Sequence, residues 1–116
     1  MIEILKVQEI VREAAKIFSN RNAAEQIKQK GVFDYVTAID EAVQEFIQKE
    51  LSDLYPQIQF MGEEKDNSDI DMSGQVWVLD PVDGTTNLIH DYQNSAISLA
   101  LIDNSEIILG IIYNPF

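Results

Sequence analysis

Apolar residues Ile4, Val7, Ile10, Val11, Ala14, Ile17 and Phe18 recur at steps of three and four, the spacing of one buried face on an amphipathic helix. Asn20 to Asn22 reads as its stop. Residues 27 to 36 alternate only in part, through Val32-Phe33-Asp34-Tyr35-Val36 after Gly31, and fit a small hairpin or extended segment. Thr37 followed by Asp40 and Glu41 predicts a capped helix start. Val43, Phe46, Ile47, Leu51 and Leu54 then mark the apolar face of a second helix, which Tyr55-Pro56 ends. A short strand from Ile58 to Met61 runs into Gly62-Glu63-Glu64, a polar acidic loop fills Lys65 to Gly74, and Gln75 to Leu79 is an apolar strand. Gly84 to Leu88 reads as a turn opening a short helix. Ser95 to Ile102 and Glu106 to Tyr113 are β-branched runs joined around Asp103-Asn104-Ser105, the pattern of an antiparallel hairpin. Two helices followed by three or four strands, without internal repeat, make an α+β chain: two N-terminal helices packed on a mainly antiparallel sheet.

At 116 residues, 46% hydrophobic and 9% aromatic, the chain has the composition of one globular domain and not of a disordered segment. It holds no cysteine, which excludes disulfides and thiolate metal sites. The start, Met1-Ile2-Glu3-Ile4-Leu5-Lys6, lacks the basic opening and unbroken apolar core of a signal peptide. The apolar stretches Ala96 to Ile102 and Ile107 to Tyr113 fall far short of the roughly 20 residues of a membrane span. A soluble cytoplasmic protein is expected. A net charge of -12 sets aside nucleic acid and anionic membranes as partners. All eight Lys and Arg lie at or before Lys65, while residues 66 to 116 carry eight acidic side chains. A phosphate ester bound by that half therefore draws on cations and backbone amides.

The chemistry concentrates in Trp77-Val78-Leu79-Asp80-Pro81-Val82-Asp83-Gly84-Thr85-Thr86-Asn87, where two carboxylates stand three residues apart after an apolar run. Oxygen ligands at a strand end suit a hard divalent cation, and the amides of Gly84, Thr85 and Thr86 can face an anion. Together with Gly62-Glu63-Glu64 and Val36-Thr37-Ala38-Ile39-Asp40, this element resembles the inositol monophosphatase family, within a superfamily of Mg2+-dependent, Li+-sensitive sugar and inositol phosphatases. The resemblance covers nearly the whole chain. It implies the N-terminal half of a layered α/β sugar-phosphatase fold.

It further implies that Glu63, Asp80 and the backbone carbonyl of Val82 bind a first Mg2+, and that Asp80 and Asp83 help bind a second. Thr85, hydrogen-bonded towards Asp40, would work with Glu63 to orient and deprotonate a metal-bound water. Gly84 and Thr85 amides would hold the phosphate, with Glu64 beside the site as a weaker ligand or outer group. Two cations on a shared aspartate can clamp an in-line displacement without a covalent intermediate. The implied reaction is hydrolysis of inositol monophosphate or a related sugar phosphate; separately, association as a homo-oligomer, a dimer, is expected to cover an exposed apolar face.

Simpler readings stand beside these. Asp80 and Asp83 could form only a turn, Asp40 has a structural role in a helix first turn, and Thr85 could be a plain N-cap. His90, the only histidine, reads as a loop or partly buried structural residue, and Trp77 as core. Asp69, Asp71, Ser73, Gly74 and Asp80 nearly spell a calcium loop, but Pro81 blocks an exit helix and the twelfth position lacks glutamate. A haloacid-dehalogenase phosphatase would set its two aspartates two residues apart, not three. The family's usual chain is more than twice this length, with a further aspartate ligand in its second half. The C-terminal half of the fold is therefore expected to be missing, leaving a sheet edge uncovered and little turnover in the chain alone. The alternative is a Mg2+- or Ca2+-binding scaffold or interaction half-domain without catalysis.

Overall fold

The computed structural model describes residues 2–31, 34–63 and 65–116. Val32, Phe33 and Glu64, named above, lie outside the described residues. The first stripe folds as predicted into α1 (Ile4–Ala15), which buries Val7, Ile10, Val11, Ala14 and Ala15. The chain then tightens into a 3-10 turn, Lys16–Ser19, that buries Phe18. Asn20 ends that helical run, as expected, with extended backbone at φ -79° and ψ 90°. Its side chain accepts from the Ala23 N–H at 3.1 Å and caps a further turn, α2 (Arg21–Ala24). Asparagine serves at either end of a helix, and Asn20 does both, with the buried Ala23 and Ala24 seating the new turn.

β1 (Ile27–Gly31) and β2 (Asp34–Thr37) form an antiparallel hairpin. Thr37 then caps α3 (Ala38–Leu54) through a reciprocal box with Asp40. Ile39, Val43, Ile47 and Leu51 are buried. Leu54, expected on the same face, is 41% exposed, in an open groove it shares with Lys6, Ile10 and Phe46.

The main sheet runs β3 (Gln59–Gly62), β4 (Gln75–Asp83), β5 (Ala96–Asp103), β6 (Glu106–Tyr113) in that order. β4–β5 and β5–β6 are antiparallel, as expected, but β3–β4 is parallel. A parallel neighbour needs a long crossover, and residues 63 to 74 supply it. Alternate residues Phe60, Trp77, Leu79, Ile97, Leu99 and Leu101 form the core with α1 and α3. The β5–β6 hairpin turns at Asn104 and Ser105, both with left-handed φ of 51° and 67°, as a two-residue hairpin loop requires.

β4 also outruns its predicted end at Leu79, continuing through Pro81 to Asp83. Its register against β5 shifts between Asp80 and Asp83, and an irregularity of this kind tolerates a proline that has no N–H for the ladder. The extra residues are those of the aspartate element. Among the described residues, no helix is long and apolar enough to cross a membrane.

Candidate active site

Parallel pairing sets Gly62 opposite Leu79, and the Glu63 N–H donates to the Leu79 carbonyl at 3.3 Å. Glu63 thus leaves β3 beside Asp80. Gly62 lets α3 approach at this point, because a Cβ there would lie 2.5 Å from Oε1 of the buried Gln44. Chain topology, not local sequence, brings the two carboxylates together.

Asp80 is half-buried, and its carboxyl is pushed up to about 7. Burial is the largest cause, followed by the hydrogen bond and charge of Glu63 and then the charge of Asp83, against a lowering hydrogen bond from Val82. Asp80 Oδ1 is buried with no hydrogen-bond partner among the described residues. Such an oxygen, next to a second carboxylate, is an arrangement that a cation would relieve. Asp83 and Glu63 are both exposed, and among the described residues no three carboxylate, cysteine or histidine side chains gather where they could hold a metal ion. A pair of neighbouring carboxylates is a donor set that suits a hard divalent cation.

Gly84 makes the next bend with φ of +91°, and its carbonyl accepts from Ser95 Oγ at 2.8 Å. A side chain at this position would be strained and would crowd the Asn94 carbonyl at 3.0 Å. Gly84, not Thr85, is the N-cap of α4 (Thr85–Ile89), and it offers no side chain to bond the helix amides. Thr85 is therefore free of capping and turns elsewhere. Its Oγ1 lies 2.8 Å from Asp40 Oδ2 and 3.1 Å from the Val82 carbonyl.

Asp40 is 1% exposed, and its Oδ1 accepts from the Thr37 N–H at 2.7 Å and Thr37 Oγ1 at 2.6 Å. Helix-capping and contact with Thr85 use opposite oxygens of one carboxylate. The single Thr85 proton goes to the shorter, charge-assisted bond to Asp40. That leaves the Val82 oxygen able to serve another partner.

The other candidates fall apart from this cluster or beyond description. His90 is exposed and stacks on Tyr92 with centroids 5.4 Å apart, and Trp77 is buried in the core. Asp71 accepts from Ser73 within its own turn, whereas Asp80 lies in β4. Sequence reasoning missed Ser95, which braces Gly84, and Arg21, whose guanidinium reaches the end of α4. Neither position carries a local signal, since both contacts are made across long sequence separations or a loop.

The α+β sheet thus brings Glu63, just past β3, beside Asp80 of β4 at an Asp-Pro-Val-Asp-Gly-Thr turn. The profile of the inositol monophosphatase family matches residues 2–116, and the chain belongs to that family. The inositol monophosphatase of Dictyostelium discoideum is 40% identical over 111 residues, 92% of this chain and 41% of that protein. The crystal structure of extragenic suppressor protein suhB from Bartonella henselae superposes with a TM-score of 0.85 at 31% identity, over 97% of this chain and 45% of that one. An IMPase/NADP phosphatase complexed with NADP and Ca2+ superposes with a TM-score of 0.79 at 25% identity, over 99% of this chain and 46% of that one. The chain thus spans about two fifths of the length of the curated relative.

Proposed function

We propose that this chain supplies the cation- and phosphate-binding part of a phosphomonoester hydrolase that uses Mg2+ and acts on inositol monophosphate or a related sugar phosphate. The observation that carries the reading is the buried, unpartnered Oδ1 of Asp80 beside Glu63. Glu63, Asp80 and the Val82 carbonyl would hold one Mg2+, and Asp80 with Asp83 a second. When bound, Mg2+ lowers the pKa of the attacking water and offsets charge on the phosphoryl group.

The chain's own residues do the rest. Because Thr85 gives its proton to Asp40, its remaining lone pair accepts from the attacking water and orients it. Glu63, exposed at the end of β3, takes the proton that water loses. The Gly84 and Thr85 amides, at the opening of α4, donate to the phosphate oxygens. A recess of about 220 Å³ adjoins Asp83, lined by Gly84, Asn87, Asn94, Ser95 and Asn114. Amides and hydroxyls of this kind suit a polyol or sugar leaving group. The reading places the protein in the cytoplasm as a homodimer, with neither nucleic acid nor membrane as partner, in keeping with its charge of -12.

The test is phosphate release over inositol, sugar and adenosine phosphates, with Mg2+ and with chelator, from this chain and from a protein that joins it to the remaining length of a relative. The expected result is Mg2+-dependent release in the longer protein, with inositol or sugar phosphates preferred and little turnover in the 116-residue chain. Release that persists in chelator, or its absence from the longer protein when that protein is folded, would sink the proposal.

A further inference from the structure

The segment between α1 and β1 contacts both helices that carry the Thr85–Asp40 hydrogen bond, each at a residue other than the bonded pair. On one side, Arg21 Nη1 donates to the Leu88 carbonyl at 2.8 Å and Nη2 to the Ile89 carbonyl at 3.1 Å. These carbonyls close the C-terminal end of α4, whose first residue is Thr85. The Arg21 guanidinium also lies 3.8 Å from the Asp91 carboxylate, and Asp91 has a left-handed φ of 56°. On the other side, the Gln26 carbonyl accepts from the Ala38 N–H at 3.1 Å, at the first residue of the helix that carries Asp40. Asn20 caps this segment and the buried Ala23 and Ala24 seat it in the core.

We infer that Arg21 is a positioning residue: its forked guanidinium locks the short helix α4 so that Thr85 stays bonded to Asp40. The inference rests on the hydrolase reading for its effect on turnover, but the brace itself is a matter of geometry. Five residues form few internal hydrogen bonds; the Leu88 carbonyl also accepts from the Asp91 N–H at 3.1 Å, and the Arg21 fork ties it together with the Ile89 carbonyl to the segment seated in the core. Two successive carbonyls call for two donors in a fixed fork. Arginine presents them in one plane, whereas lysine offers a single point of charge. Loss of the fork frees α4 at its far end, and the displacement is felt at Thr85.

The experiment compares wild type, Arg21→Ala, Arg21→Lys and, as a remote control that also removes a cation, Lys49→Ala. Backbone amide exchange at His90 and Asp91 is measured together with the Thr85 side-chain rotamer by NMR couplings in the 116-residue chain. Arg21→Ala should lower amide protection about tenfold or more and let the Thr85 rotamer average, with Lys49→Ala unchanged. Arg21→Lys should not restore the rotamer, because charge without the fork is insufficient. In the longer protein of the preceding test, Arg21→Ala should lower kcat about tenfold or more, with KM within about twofold. Unchanged protection and rotamer in Arg21→Ala overturn the brace, as does full rescue by lysine. Lost protection with unchanged kcat overturns the positioning role. A wild-type protein without Mg2+-dependent release instead defeats the hydrolase reading, and the brace is then decided on exchange and rotamer alone.

Discussion

Asp40 and Asp80 are both drawn out of water within the same site, yet their surroundings are opposite. Asp40 is 1% exposed with both oxygens satisfied, by Thr37 on one side and Thr85 on the other. Asp80 is half-buried, faces a second carboxylate and keeps a buried oxygen without a partner. On the proposed function, the contrast separates a carboxylate that the fold completes from one that it leaves for a ligand. A site that must receive a cation cannot satisfy its oxygens internally without competing with that cation.

The largest expected effect breaks the completed member. Asp40→Ala removes the capping box and strands the buried Thr37 N–H and hydroxyl, so it should destabilise the chain by about 2 to 3 kcal/mol in urea unfolding. Thr85 would lose its acceptor in the same variant. A loss below about 0.5 kcal/mol would mean that Asp40 is not the internal support described.

Asp80→Asn should move stability the other way. The folded carboxyl titrates at about 7 against an ordinary 3.8, so the native state holds the extra proton between those values and stability falls as pH rises through that window. Below pH 3.8 both states are protonated and the penalty vanishes; above 7 it is complete. The full shift corresponds to about 4 kcal/mol, and solvent screening of a half-exposed group reduces it to about 1 to 2 kcal/mol. Without Mg2+, Asp80→Asn should thus be more stable than wild type at pH 8 by about that amount. At pH 4 the two should unfold at nearly equal urea concentrations, and a gain that persists there would assign the effect to packing.

The same contrast shows what the sequence could disclose. The Thr37–Asp40 box was legible because capping is local, three residues apart, and the periodicity of α1 and α3 was legible because one buried face repeats. The Asp-Pro-Val-Asp-Gly-Thr order pointed to the family, though not to the geometry of the element. The meeting of Glu63 with Asp80 was invisible to local reading, since it depends on the parallel pairing of β3 with β4 across residues 63 to 74. For the same reason β4 was ended too early at Leu79: proline reads as a breaker until the register shift that accommodates it is seen. Arg21 gave no signal, because its partners are carbonyls 67 and 68 residues away.

Adding Mg2+ sharpens the comparison further, because it should act on Asp80 and not on Asp40. At ten times its dissociation constant the ion should add about 1.4 kcal/mol to wild type. Asp80→Asn should lose most of this increment. An equal increment in both proteins would place the cation elsewhere.

The smallest stability effect belongs to Asp83, which is exposed and whose charge is the weakest of the four causes that raise Asp80. Asp83→Asn removes a solvated charge and a minor repulsion, so its unfolding midpoint should stay within about 0.5 kcal/mol of wild type. In the longer, active protein the same substitution should abolish phosphate release, because the proposed second cation loses a ligand. The pairing of a silent stability change with a lost activity is what distinguishes a carboxylate kept for a ligand from one kept for the fold. Near-normal release from Asp83→Asn would remove Asp83 from the cation site and leave Asp80 and Glu63 to hold a single ion.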